Sequence, residues 1–193
     1  MGFIRDCWLE IVAVGLLTVA ASCVAHAQGL DKPVVLVASP SMAGAYSRAV
    51  LVVVPKGEGH VGFMLNRVSN TTVADVFPDE DQSAQIEEPI YLGGPRAMES
   101  MYAVVQRDPG EGSRRLFGDV FVTVSGKTVD RILRDTPHEA RYFAGFNSWS
   151  QGELAEEVRA GEWLLAEPDA ALLFHGKPSA MWEELVQRIQ NTL

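Results

Sequence analysis

Hydrophobic positions along residues 28–193 follow two different periods. Runs rich in β-branched and aromatic residues are typical of strands; they occur at 34–38, 49–54, 61–65, 89–92, 101–106, 119–124, 140–146, 163–166 and 171–174. Runs with apolar residues three and four positions apart indicate amphipathic helices; they occur at 72–76, 128–135, 152–160 and 179–191. The pattern therefore predicts a chain with more strands than helices.

The short gaps between predicted strands indicate hairpins rather than a series of βαβ units. The run at 49–54 is separated from the run at 61–65 only by the polar segment "PKGEGH", which is too short to hold a crossover helix. The last predicted helix is amphipathic and should dock on the sheet. Its apolar face consists of Trp182, Leu185, Val186 and Ile189. We therefore expect a mixed α+β domain.

The first 27 residues have the pattern of a secretory signal peptide. Residues 11–24 carry no charge, and Ala25, His26 and Ala27 follow as an A-x-A cleavage site. This apolar run is shorter than the about 20 residues that a transmembrane helix needs. We expect a signal peptide at 1–27, one domain at 28–193, and a periplasmic or secreted protein with no membrane contact beyond the leader. The alternatives are an uncleaved anchor and a misassigned start codon, and the latter would leave the protein cytoplasmic.

Composition narrows the chemistry open to the processed chain. Both cysteines, Cys7 and Cys23, lie in the leader, so thiolate catalysis and thiolate metal binding are excluded after cleavage. The net charge of −9 disfavours a nucleic-acid partner, because phosphate backbones are bound mainly by clustered Lys and Arg. The histidines outside the leader show no local ligand spacing, so we expect no metal and no cofactor. They are His60, His138 and His175.

The sequence contains neither a complete phosphate loop nor a serine nucleophile elbow. The segment "SGKT" at 125–128 follows a predicted strand, but Phe121 stands where a phosphate loop needs glycine. We expect a plain strand-turn-helix there, with Ser125 as the helix cap. No serine lies in a G-x-S-x-G elbow. We assign no catalytic residue, although a triad assembled from distant residues stays open.

Candidate binding residues lie in two loops that follow predicted strands. Asn66 and Arg67 come directly after the strand at 61–65, where binding groups are often found; an Asx-type turn with a solvated arginine is the favoured alternative. In "IYLGGPR", Pro95 lacks the N–H group that an anion cradle would use. Gly93 and Gly94 are therefore expected to meet a backbone or packing requirement, and Arg96 to lie at an exposed corner.

Several ordered motifs together resemble the YqgE/AlgH family. They are "LVASPSM" at 36–42, "YSRAVLVVV" at 46–54, "GHVGFMLNR" at 59–67, "IYLGGP" at 90–95 and "FAGFNSWSQGELAEEVRAGEWL" at 143–164. The resemblance implies an α+β fold whose mixed, mostly antiparallel, bifurcated sheet curls into a pseudo-barrel with a few flanking helices. It implies no established activity. The chain departs from the family pattern at Val68, Arg96, Asn147 and Ser148.

These observations lead to one expected function and two alternatives. We expect an exported, non-enzymatic domain that binds a protein or small ligand through the loops after Leu65 and Leu92. The binding residues would be Asn66, Arg67, Gly93, Gly94 and Arg96. The alternatives are a cytoplasmic transcriptional regulator, which the family name suggests, and an uncharacterised hydrolase.

Overall fold

Residues 29–77 and 86–191 are described in the computed structural model of the protein. The predicted signal peptide at 1–27 lies outside the described residues. Within the described part of the chain, no helix is long and apolar enough to cross a membrane.

The strands of the described residues join one sheet of ten strands. They are β1 Val34–Ala38, β2 Val50–Lys56, β3 Gly59–Met64, β4 Val68–Thr72, β5 Pro89–Leu92, β6 Arg96–Gln106, β7 Ser113–Phe117, β8 Val120–Thr123, β9 Ala140–Trp149 and β10 Trp163–Ala166. The helices are α1 Val73–Val76, α2 Gly126–Asp135, α3 Glu153–Arg159, α4 Ala170–His175 and α5 Met181–Gln190. Single 3₁₀ turns occur at Gly44–Tyr46 and Pro137–Glu139.

The sheet branches at β9. The main order is β10-β1-β2-β3-β9-β6-β8-β7, with β4 paired to β5. The carboxyl end of β9 pairs with β3, whereas its middle pairs with β5 in the only parallel ladder among the described strands. The mostly antiparallel sheet curls into a half-barrel, so the predicted fold class is confirmed.

Two expectations about individual elements can be compared with the structure. The hairpin predicted from the runs at 49–54 and 61–65 is confirmed as β2 and β3. The strand predicted at 171–174 is wrong, because these residues belong to α4. Asp169 caps this helix by accepting a hydrogen bond from the Ala171 N–H at 2.9 Å. A short apolar run fits both structures, and the cap selects the helix.

Two strands were missed because they are rich in polar residues. β4 has the sequence VSNTT, and β7 contains the adjacent arginines Arg114 and Arg115. Each pairs with one strand of the sheet: β4 with β5, and β7 with β8. Polar strands at the margin of a sheet lack the apolar alternation that marks a half-buried strand in a sequence.

The sheet is buried on both faces where β1 and β2 lie. Val35 and Val37 of β1 face a core cluster that includes Leu185 of α5. Leu36 faces the opposite cluster, which includes Leu154 of α3. Because successive side chains of a strand point to opposite faces, one apolar strand can serve both clusters. The two faces carry different clefts, described below.

Candidate functional site

A polar cleft of about 560 Å³ lies between the loop after β1, the end of β9 and α3. Its walls carry three carboxylates, Glu153, Glu157 and Glu162. None of the described residues that line it is a lysine, arginine or histidine. The cleft therefore combines a ligand-sized volume with an uncompensated negative charge.

The Glu157 carboxylate is held by two tryptophans. The indole N–H groups of Trp149 and Trp163 both donate to Glu157 Oε2, at 2.9 and 2.7 Å. Both tryptophans are buried, with exposures of 8% and 5%. Both bonds go to Oε2, and among the described residues none donates a hydrogen bond to Oε1.

The local sequence explains how these three side chains meet. β9 ends at Trp149, and α3 begins at Glu153, whose carboxylate accepts a hydrogen bond from the Ser150 N–H at 2.8 Å. Glu157 lies four residues further, on the same face of the helix as Glu153. The helix then ends, and Trp163 opens β10. A strand, one short helix and a return strand thus bring both indoles to one carboxylate.

Tyr46 and Asn147 form a second polar contact in the cleft. The Tyr46 hydroxyl donates to Asn147 Oδ1 at 2.7 Å, and Asn147 Nδ2 donates to the Gly93 carbonyl at 2.7 Å. Asn147 is only 3% exposed. Burial raises the pKa of Tyr46, and the nearby Glu157 charge adds to the effect. The hydroxyl therefore stays protonated at neutral pH and acts as a donor.

The predicted residues Asn66 and Arg67 do not line the cleft. Asn66 accepts from the Val50 N–H at 3.0 Å and donates to the Arg48 carbonyl at 2.8 Å. Arg67 Nη2 donates to the Ser47 carbonyl at 2.5 Å. Arg67 is thus half-buried and bonded to the protein, unlike the solvated arginine of the Asx-turn alternative. Both side chains fix the segment that follows Tyr46.

The predicted glycines Gly93 and Gly94 lie against the backbone of β9. A Cβ atom on Gly94 would be 2.3 Å from the Phe146 carbonyl carbon, and one on Gly93 would be 2.3 Å from the Gly145 carbonyl oxygen. Close approach of another segment thus explains both glycines. Arg96 is exposed at the start of β6, outside the lining of the cleft.

None of the residues that line this cleft was predicted from the sequence as a binding residue. Asn147 was noted only as a departure from the family pattern, and Tyr46 and Glu157 were not singled out. One usable signal was present: Asn147 is the only strongly polar side chain among the buried positions of β9. Buried amides need hydrogen-bond partners, so such a residue marks a polar network.

The predicted helix cap and two of the histidines can be compared with the hydrogen bonds in the structure. Ser125 occupies the N-cap position of α2, but its hydroxyl makes no capping hydrogen bond, contrary to expectation. His60 Nε2 lies 2.8 Å from the Leu30 carbonyl oxygen, and His138 pairs with Glu88. Within residues 29–77 and 86–191, no group of three His, Cys, Asp or Glu side chains could hold a metal ion.

Comparison with known proteins decides the family. The family model described as AlgH-like matches residues 35–193, which includes nearly all of the described chain. The chain belongs to the AlgH-like family. A UPF0301 protein of Chlorobium phaeobacteroides is 30% identical over 147 residues, covering 74% of this chain and 77% of the relative. Another, from Methylococcus capsulatus, is 30% identical over 160 residues, covering 79% and 87%.

Solved structures support the AlgH-like fold. The solution structure of the AlgH protein from Pseudomonas aeruginosa matches with a TM-score of 0.71 and 24% identity, covering 83% of this chain and 89% of that one. A crystal structure of a Corynebacterium diphtheriae protein matches with a TM-score of 0.66 and 25% identity, covering 82% and 86%. The activity of the AlgH-like family is not established.

Proposed function

We propose that this AlgH-like domain is an exported, non-catalytic binding protein whose polar cleft receives a compact organic cation, such as a protonated amine or a guanidinium group. The observation that carries the proposal is the Glu157 carboxylate, which two indole N–H groups hold in place within a cleft lined by no cationic residue among those described. A carboxylate already fixed in position loses little conformational entropy when it binds a ligand.

The surroundings of Glu157 favour an organic cation over a metal ion. The described carboxylates do not come together as a metal-binding group. The cleft instead presents the aromatic side chains of Tyr46, Trp149 and Trp163, with Tyr46 and Trp163 packed edge to face at 6.0 Å. Aromatic rings beside a carboxylate suit an ammonium or guanidinium group, which can contact both.

Two features of the cleft favour binding over catalysis. The hydroxyls of Ser39 and Ser41 lie 3.0 Å apart and are bonded to each other. The described lining offers no histidine or lysine that could activate either serine as a nucleophile. Tyr46, whose pKa is raised, is a hydrogen-bond donor at neutral pH and a poor general base.

The residues predicted from the loops after Leu65 and Leu92 would then support the cleft from behind. Asn66 and Arg67 fix the backbone that follows Tyr46. The Gly93 carbonyl accepts a hydrogen bond from the Asn147 side-chain amide, and Gly94 lets its own segment approach the backbone of β9 closely. Arg96 has no part in this arrangement, and its role as a binding residue elsewhere on the surface stays a prediction.

Calorimetric titration with butylammonium, butylguanidinium and butyrate tests the proposal. We expect the two cations to bind and butyrate not to bind at the cleft. Glu157→Gln keeps the size of the side chain and removes its charge, so it should weaken cation binding by roughly tenfold or more. The matched control is Glu156→Gln, an exposed neighbour on the same helix that does not line the cleft. Equal affinities of both variants, or no preference for cations over butyrate, would contradict the proposal.

Export is tested by the mass of the protein recovered from the periplasm or the medium. We expect a chain that begins at Gln28. Because Cys7 and Cys23 both precede this residue, the processed chain should not react with a thiol reagent. A protein that retains Met1, or that is found only in the cytoplasm, would overturn this part of the proposal.

A further inference from the structure

A second cleft, here called the apolar groove, lies on the other face of the sheet. It has a volume of about 550 Å³ and is lined by residues of β2, β3, β6, β7, β8 and β9. Its apolar lining includes Val54, Phe63, Tyr102, Val122, Val124 and Phe146. None of these residues lines the polar cleft. The apolar groove is therefore a separate candidate site.

An aromatic wall runs along the apolar groove. The ring of Tyr102 lies 5.4 Å from that of Phe63 and 5.8 Å from that of Phe146. At the open edge, the Val124 side chain is 53% exposed. Apolar surface is thus left in contact with water along a cleft of ligand size, where burying a hydrocarbon chain would be favourable.

The charges at the edge of the apolar groove are positive. Lys56 and Arg114 line it, Arg115 borders it, and no aspartate or glutamate belongs to its described lining. This local excess of positive charge contrasts with the net charge of −9 of the whole chain. Neither Lys56 nor Arg114 forms a salt bridge with another described residue.

Strand alternation shows which cations face the groove. Arg114 pairs with Val122 across β7 and β8, and directly paired residues of neighbouring strands lie on the same face. Lys56 lies two residues after Val54 and therefore also points to the groove face. Arg115 pairs instead with Phe121 on the opposite face, where its guanidinium lies 5.0 Å from the Phe121 ring.

Tyr102 adds a hydrogen-bond donor to the apolar groove. Its hydroxyl forms no hydrogen bond with any residue in 29–77 or 86–191. Burial raises the pKa of Tyr102, and the negative charge of Glu99 raises it further, so the O–H group stays protonated at neutral pH. The Tyr102 hydroxyl is therefore a donor without a described partner in the lining of the apolar groove.

We propose that the apolar groove binds a straight-chain organic carboxylate, with the hydrocarbon tail along the aromatic wall and the carboxylate at Lys56 and Arg114. The apolar wall alone would accept any hydrophobic molecule, including a second copy of this chain. The cations at its edge, with no acid in its described lining, select an amphipathic anion. This site is independent of the cation site proposed for the polar cleft.

A chain-length series measures the contribution of the tail. The purified protein is titrated with octanoate, decanoate, laurate and myristate, and with the alcohol and trimethylammonium compounds of matching length. The affinity of the carboxylates should rise by up to about fourfold for each added methylene until the groove is full. Carboxylates should bind more tightly than alcohols, and alcohols more tightly than trimethylammonium compounds.

Variants at the edge of the groove measure the contribution of the charges. Arg114→Gln and Lys56→Gln should each weaken laurate binding by up to roughly fivefold and leave dodecanol binding unchanged. The control Arg134→Gln removes an exposed arginine that lies outside the groove. Val124→Glu should weaken laurate binding by at least about tenfold, because it places a like charge at the open edge. Its control is Val68→Glu, at a valine that is 43% exposed and does not line the groove.

Three results would overturn the assignment. The first is a carboxylate affinity that does not depend on chain length. The second is a laurate affinity unchanged in both Arg114→Gln and Val124→Glu, with urea melts confirming that both variants are folded. The third is that the protein without ligand is a dimer and that Val124→Glu makes it monomeric. That result would show that a second copy of the chain occupies the groove. Glu157→Gln should bind laurate normally, which separates this site from the polar cleft.

Discussion

The polar cleft and the apolar groove lie on opposite faces of one sheet and are built in different ways. The polar cleft depends on hydrogen bonds between segments far apart in the chain, such as the bond from Tyr46 to Asn147. The apolar groove is lined mainly by side chains that alternate along regular strands. Its exposed edge residues, such as Val124, can therefore be changed singly at small cost, whereas a change in the polar cleft disturbs several partners at once.

The two sites also differ in charge. Three glutamates line the polar cleft, whereas the charged residues that face the apolar groove are the cations Lys56 and Arg114. An acidic chain can thus present a local cationic site, because side chains from a few strands decide the charge of each cleft. The overall net charge does not predict the charge of a ligand. Variants that affect one site and spare the other can test this separation.

The largest effect is expected at the junction behind the polar cleft. Gly94→Ala places a Cβ atom against the Phe146 carbonyl group and the Asn147 N–H, at distances from 2.3 to 2.5 Å. Backbone atoms cannot move aside as a flexible side chain can, so we expect a loss of about 3 kcal/mol of unfolding free energy. Urea denaturation measures it.

Gly126→Ala is the matched control for this variant. Nothing lies within 4 Å of a Cβ atom on Gly126, and the residue begins α2. Alanine there should be neutral or stabilise by up to about 1 kcal/mol. Equal unfolding midpoints for the two alanine variants would show that the approach of Gly94 to β9 is not tight.

A smaller effect is expected from Asn147→Ala. The change removes the acceptor of the half-buried Tyr46 hydroxyl and the amide that donates to the buried Gly93 carbonyl. We expect a cost of about 2 kcal/mol, because one donor and one acceptor each lose a partner. Butylammonium binding should weaken and laurate binding should persist. Loss of both ligands in a folded variant would show that the two sites are coupled.

The smallest expected changes in stability come from removing the hydroxyl groups of Tyr46 and Tyr102. Tyr46→Phe deletes a hydroxyl that donates to Asn147 and should cost about 1 kcal/mol. Tyr102→Phe deletes a hydroxyl without a described partner and should leave stability within about 0.5 kcal/mol of the original. Thermal melts of the two variants provide the comparison. A larger cost at Tyr102 than at Tyr46 would reverse the contrast between the two sites.

The regular strands could be predicted from the sequence, whereas the contacts between distant segments could not. Alternating apolar residues predicted most strands and the hairpin of β2 and β3, because these depend on local periodicity. The branching of the sheet came only from the family resemblance. β7, which supplies Arg114 to the apolar groove, was missed because its residues are polar. Neither cleft was predicted.

The polar cleft could not be predicted from the sequence because its hydrogen bonds join distant segments. Tyr46 and Asn147 are separated by 101 positions, and Asn147 and Gly93 by 54. A hydrogen bond between distant segments leaves no periodic signal. The two predicted glycines were nevertheless informative, because a glycine pair after an apolar strand marks a close approach. In this fold the approach is to the strand that carries Asn147.

The central claim is that two independent sites take ligands of opposite charge. Its most direct test is a ¹⁵N and methyl NMR titration of one sample with butylammonium and then with laurate. Butylammonium should shift the indole signals of Trp149 and Trp163 more than that of Trp182, which donates to the Ala38 carbonyl and does not line the cleft. Laurate should then shift the methyl signals of Val122 and Val124 without moving the two indoles. Both ligands shifting the same signals, or neither shifting its own set, would contradict the account.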